Sequence, residues 1–232
     1  MADQNDFETY IYIEKNNFKI FLLNIKSYKN LYYNELISEN NIDINFQQLS
    51  KFIDDNIFKI EKLQGKFIED IFIIIDNDLE LQTTISIKKN NNNISEQKIL
   101  NQTLVDLKDL FKENNKDQDI IHMLMENLNI DGEKYNDPTK NFKSNYLNLD
   151  VRFITFPNKF IYKFNELFGR YQIRVKQFLS AKYLNGFILD ENFEIPSIAH
   201  KIINGYNANE IQIVPKVIKN KGFFEKFFQL FS

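Results

Sequence analysis

Residues 119–156 read DIIHMLMENLNIDGEKYNDPTKNFKSNYLNLDVRFITF, and their alternation decides the fold. The first part sets Ile121, Met123 and Met125 on one side, and the last runs through Tyr146, Leu147, Leu149, Val151 and Phe153, β-branched or apolar and aromatic. Side chains alternate across a strand. Two strands are therefore predicted, joined by an Asp131-Gly132 turn and a longer loop at Asp137-Pro138, as a hairpin with one apolar face. A helix over about 96–112 leads in and another over about 159–168 leads out. Strands and helices mixed in this way give an α+β protein.

On the N-terminal side, residues 10–13 and 18–23 read as strands flanking Glu14-Lys15-Asn16-Asn17, and a third strand falls near 30–33. Asp43 or Asn45 caps a helix running to about Leu63, with Phe46, Leu49, Phe52, Ile53, Ile57 and Ile60 at helical spacing and Gly65 as the stop. Ile71–Ile75 is a continuous apolar run. Such a run suits a strand covered on both faces in a parallel or mixed sheet. Residues 79–87 follow as a strand with Leu79, Leu81, Thr83, Ile85 and Ile87 on one face. The helix after the Asn-rich loop (Asn90–Asn93) turns Leu100, Leu107, Leu110 and Phe111 toward a core. Beyond the hairpin, a helix ends at Gly169, residues 171–178 return as a strand, and Ser180–Leu184 start a last helix. From Asp190, Pro196, Gly205, Asn207, Asn209 and Pro215 interrupt the pattern, which reads as a linker with one short helix near 198–203.

The chain has 232 residues, 43% hydrophobic and 15% aromatic, enough to bury a core. A formal net charge of −3 argues against a general nucleic-acid binder. Without cysteine there is no disulfide, no thiolate metal site and no Cys nucleophile, and only His122 and His200 remain for imidazole chemistry. His122 on an alternating strand reads as a partly buried hydrogen-bonding residue, and Asp131 as turn chemistry. Asp76 and Asp78 end the buried strand, a place for metal ligands, without an identifiable third ligand. Lys88 and Lys89 read as a solvated loop. No catalytic residue, metal site or cofactor is expected. The N-terminus is polar and acidic rather than a secretory signal, and no run reaches about 18 apolar residues, so a cytoplasmic location is expected.

The order β-β-β-α-β, an inserted strand–helix–strand–strand unit and a return strand resembles the first lobe of FtsA, the actin-like protein that ties the bacterial division ring to the membrane. FtsA-like chains carry His-x-x-Pro-x-x-Tyr-x-x-Asp-Gly, then Asp-Pro, then a strand ending in Ile-Thr. Here His122, Asp131-Gly132, Asp137-Pro138 and Ile154-Thr155 keep the pattern, with Met125, Leu128 and Lys140 in place of the usual Pro, Tyr and Gly. Asn165 and Ser180-Ala181 match further on, so the resemblance spans about 10–189. It implies a single actin-like (ribonuclease H-like) lobe from 1–78 and 171–190, an inserted domain over 79–170, a linker over 191–220 and an amphipathic helix over 221–232. An actin-like ATPase needs a Gly- and Ser/Thr-bearing turn to approach phosphates. The matching turn, Glu14–Asn17, has none. A second lobe has no counterpart. The resemblance therefore implies a truncated pseudo-ATPase that neither binds nor hydrolyses ATP.

At the end of the chain, Phe223, Phe224, Phe227, Phe228, Leu230 and Phe231 form one apolar stripe, flanked by Lys219, Lys221 and Lys226. Large aromatics beside lysines suit the surface of an anionic membrane, and FtsA carries its membrane-targeting helix at this place. The implied role is a non-catalytic adaptor, peripheral on the cytoplasmic face of the inner membrane, that takes part in cell division. Its expected partners are lipid, other division proteins and further copies of itself. In FtsA the tubulin-like FtsZ is held by the second lobe, so FtsZ binding here needs another surface. PilM of type IV pili resembles the same region, and the alternative is a PilM-like cytoplasmic scaffold with the terminal helix packed on its own body or on a partner.

Overall fold

The computed structural model describes residues 6–38, 43–90, 96–135, 145–188 and 194–211. Two sheets organise them. In the first, β1 (Phe7–Glu14), β2 (Asn17–Asn24) and β3 (Lys29–Ile37) form an antiparallel meander. Next to β1 runs β4 (Asp70–Asp76), parallel to it, and β9 (Arg174–Ser180) is parallel to β4, giving the order β3-β2-β1-β4-β9. All of Ile71–Ile75 is buried. Ile71, Ile73 and Ile75 meet α1 (Phe46–Gln64) and α3 (Asn158–Gly169) on one face. Phe72 and Ile74 meet α4 (Ala181–Asn185) and α5 (Ile195–Ile203) on the other. Burial on both faces explains the unbroken apolar run.

Of the two candidate caps, Asn45 closes α1: its side-chain oxygen accepts the Gln47 and Gln48 N–H groups, each at 3.1 Å. Gly65 (φ 73°) ends the helix, donating to the Glu61 carbonyl at 2.8 Å.

The second sheet has the order β5-β8-β6-β7, from β5 (Leu81–Asn90), β6 (Gln118–Ile130), β7 (Glu133–Tyr135) and β8 (Tyr146–Pro157), all antiparallel to their neighbours. One face is covered by α2 (Glu96–Asn114), whose Leu100, Leu107 and Phe111 pack against Met123, Met125, Val151 and Phe153. Phe111 and Phe153 stack at 4.5 Å. The Asp131-Gly132 turn has both residues at positive φ (49° and 94°), the twist a tight hairpin requires. The Asp131 carboxylate also accepts the Asn145 and Tyr146 N–H groups, at 2.9 and 3.0 Å. Asp137-Pro138 lies outside the described residues.

The opening stretch joins the two sheets. Leu147–Phe153 of β8 serve the α2 core, Ile154 the α4/α5 core, and Phe156 the α1/α3 core. A bulge between Ile120 and His122 turns Ile121 away from Met123 and Met125 and onto the α1/α3 core, which corrects its expected side.

Three other differences have local causes. Leu79 lies before β5, because the Asn77 side chain accepts its N–H at 2.9 Å and forms a turn; Leu79 and Leu81 are exposed. The return strand starts at Arg174 rather than Tyr171, after a turn in which Gln172 (φ 60°), not Gly169, is left-handed. The expected 191–220 linker is folded over 194–211: Pro196 sits in the first turn of α5, where proline is tolerated, and Ile198, Ala199 and Ile202 are buried.

Candidate functional site

The end of the first sheet at which parallel β1 and β4 finish is acidic. Glu14 and Asp76, at the C-terminal ends of parallel β1 and β4, stand opposite each other in register. The Tyr12 hydroxyl donates to Asp76 Oδ2 at 2.9 Å, and burial, with that carboxylate beside it, pushes the Tyr12 phenol well up. Asp78 lies 3.7 Å from Lys182 Nζ, and Glu80 accepts from the Ser180 hydroxyl. Asp76 and Asp78 thus each face a side chain of the chain itself. Among the described residues no three His, Asp or Glu side chains are grouped to hold a metal ion.

His122 is fully buried where the sheets meet. The Ser180 N–H donates to Nε2 at 3.0 Å, so Nε2 holds a lone pair and the proton sits on Nδ1, which donates to Glu210 Oε1 at 2.7 Å. The ring is therefore neutral, and the contact is a charge-assisted hydrogen bond rather than an ion pair. The other oxygen of Glu210 accepts the Tyr183 hydroxyl at 2.9 Å, and Asn207 donates to that hydroxyl at 2.8 Å. Burial and the Glu210 carboxylate raise the Tyr183 phenol. Backbone bonds complete the tie: Met125 N–H to the Asn209 carbonyl (2.9 Å) and Ile211 N–H to the Met123 carbonyl (2.8 Å). His200 on α5 repeats the device, with Nδ1 2.7 Å from Glu8 Oε2, an oxygen that also accepts the Tyr10 hydroxyl.

Beside the His122 network lies an open groove of about 470 Å³. Its sheet wall carries Arg152 and Glu126, paired at 2.9 Å, with Gln82 accepting from Arg152 at 3.3 Å. Lys182, Phe187 and Asn209 also line the groove. The groove thus sets paired charges, which can fix the orientation of a bound group, beside an aromatic that offers apolar contact area.

The sequence reading found His122 but missed its partner Glu210, and missed the pairing of His200 with Glu8, because 191–220 looked like linker. The signal available was the helical spacing of Ile195, Ile198, Ile202 and Ile203. The expected membrane-binding residues Lys219, Lys221, Phe223, Phe224, Lys226, Phe227, Phe228, Leu230 and Phe231 lie outside the described residues. No described helix is long and apolar enough to cross a membrane.

The chain is a mixed α+β protein of two sheets. No family model and no curated protein matches it. Among solved structures it is similar to a chain of the PilM-PilN type IV pilus biogenesis complex, with TM-score 0.47 and 6% identity, over 80% of this chain and 51% of that one. It is also similar to a Bacteroides thetaiotaomicron protein with an actin-like ATPase fold and unknown function, with TM-score 0.32 and 14% identity, over 81% and 58% of the two chains. The chain spans little more than half the length of these structures.

Proposed function

We propose that this chain is a nucleotide-independent, FtsA-like adaptor, peripheral on the cytoplasmic face of the inner membrane, that takes part in assembling the cell-division machinery. The observation that carries its nucleotide independence is the register of Glu14 with Asp76. A phosphate chain needs converging N–H donors and positive charge. Here two carboxylates stand at the strand ends and the turn between β1 and β2 has no Gly, Ser or Thr. The stripe of Phe223, Phe224, Phe227, Phe228, Leu230 and Phe231 with Lys219, Lys221 and Lys226 supports lipid binding. One short amphipathic helix binds weakly, so several copies would hold the membrane by avidity. The Arg152–Glu126 groove is the surface offered to other division proteins.

Nucleotide independence is tested by calorimetry and thermal unfolding with Mg-ATP. No heat of binding and an unchanged midpoint are expected; saturable binding in the micromolar range overturns this part of the reading.

A second reading, the PilM-like scaffold with a docked tail, draws on Ile211. The chain enters its last stretch already bonded to β6 and packed on the α2 core at this residue.

A further inference from the structure

β5 is an edge strand of unusual openness. The other edges are interrupted: β3 pairs with a bulge at Leu22/Leu23, β9 with a bulge at Ile71/Phe72, and β7 has three residues. Bulges and shortness blunt an edge against pairing with another chain. β5 pairs with β8 over Leu81–Asn90 without a shift of register, contains no proline, and reads Leu-Gln-Thr-Thr-Ile-Ser-Ile, of high β-propensity. Its outer side has no strand beside it among the described residues.

We propose that this edge pairs with β5 of a second copy, antiparallel, about a two-fold axis through Thr84. The sequence is self-complementary in that register. Directly opposite residues share a face in an antiparallel pair. Leu81, half exposed at 51%, then meets Ile87 of the second copy, and Thr83 meets Ile85. On the other face Gln82 meets Ser86, and Glu80 meets Lys88. Lys88 is exposed with its ammonium 4.0 Å from the Tyr146 ring centre, and Glu80 accepts from Gln82 and Ser180, so both ends carry fixed, opposite charges. A register displaced by two residues loses the Glu80–Lys88 match.

α2 supplies a second contact. Lys89 of β5 is bonded to Asp106, which places that flank of α2 above the strand edge. Leu110, one turn further along the same flank, is 45% exposed, against its expected core position. Phe111 stacks on Phe153 of β8, which is opposite Thr83, so this turn of the helix lies level with the middle of β5 and with the two-fold axis. The pairing makes one eight-stranded sheet with both α2 helices on one face. It stands independently of lipid binding.

The test is sedimentation velocity of the full chain across micromolar concentrations. A concentration-dependent dimer is expected. Glu80→Lys weakens it about tenfold by setting like charges opposite each other twice per dimer, and Glu80→Lys with Lys88→Glu restores it. The chain has no cysteine, so Thr84→Cys gives one thiol per copy, and a short bis-maleimide joins the copies there. Phe58→Cys, exposed on α1, is not joined. Circular dichroism checks that each variant folds. A monomer at all concentrations, a dimer indifferent to Glu80→Lys, or equal cross-linking at positions 84 and 58 overturns the proposal.

Discussion

His122 Nδ1–H donates to Glu210 Oε1 at 2.7 Å, and this bond joins two stretches of chain 88 residues apart. It fixes the tautomer that leaves Nε2 free to accept the Ser180 N–H, so one imidazole holds β6, the end of β9 and the 205–211 segment in a single geometry. The sheets are coupled through a buried polar group rather than through apolar packing alone.

Removing the imidazole leaves the Ser180 N–H and one Glu210 oxygen without their partner. His122→Ala is expected to lower stability by about 2–4 kcal/mol, and Glu210→Ala by about 1.5–3 kcal/mol. Chemical denaturation measures both. In hydrogen exchange, Glu210→Ala should speed the Met125 and Ile211 amides, which bond to the same segment.

Alkaline pH should unfold the protein before its tyrosines ionise. Tyr10, Tyr12, Tyr171 and Tyr183 are raised first by burial, and Tyr33, hydrogen-bonded to Glu35, is pushed up to about 12. With the folded pKa above the unfolded value, the unfolded chain binds fewer protons in this range, and stability is lost as pH rises above about 10. The phenolate absorbance of the native protein should lag that of the denatured chain, then jump on unfolding. A native titration matching the denatured one contradicts this assignment.

At the acid end, hydrogen bonds from Tyr33 and Asn17 lower the Glu35 pKa. That contribution is present above the unfolded pKa and is lost as pH falls through the folded one. Glu35→Gln should therefore remove that contribution at neutral pH and flatten the acid limb of the stability curve, so that the variant and the parent converge at low pH.

Asn45→Ala removes the acceptor for two N–H groups at the start of α1 and should cost about 1 kcal/mol. Phe164→Ala should cost about 3–5 kcal/mol, since this fully buried ring touches Phe46, Phe160 and Phe178. Thermal and denaturant unfolding compare the two.

Periodicity made most elements legible. The Ile71–Ile75 run announced a strand covered twice, and the Asp131-Gly132 turn announced a hairpin. The side of Ile121 was hidden because a bulge adds one residue without a sequence mark. Of the 194–211 segment only a short helix near 198–203 was legible, because Pro196, Gly205 and Asn207 are breakers by type and the folded course around that helix depends on tertiary packing. The partner of His122 could not be read at all: pairing over 88 residues leaves no local pattern.

Co-sedimentation with anionic liposomes, full length against a chain ending at Asn220, tests the adaptor reading most directly. Binding that requires residues 221–232 and weakens as salt rises is the predicted result. A full-length chain that stays in the supernatant at low salt, while the shortened one loses stability, contradicts it and assigns the tail to the folded body.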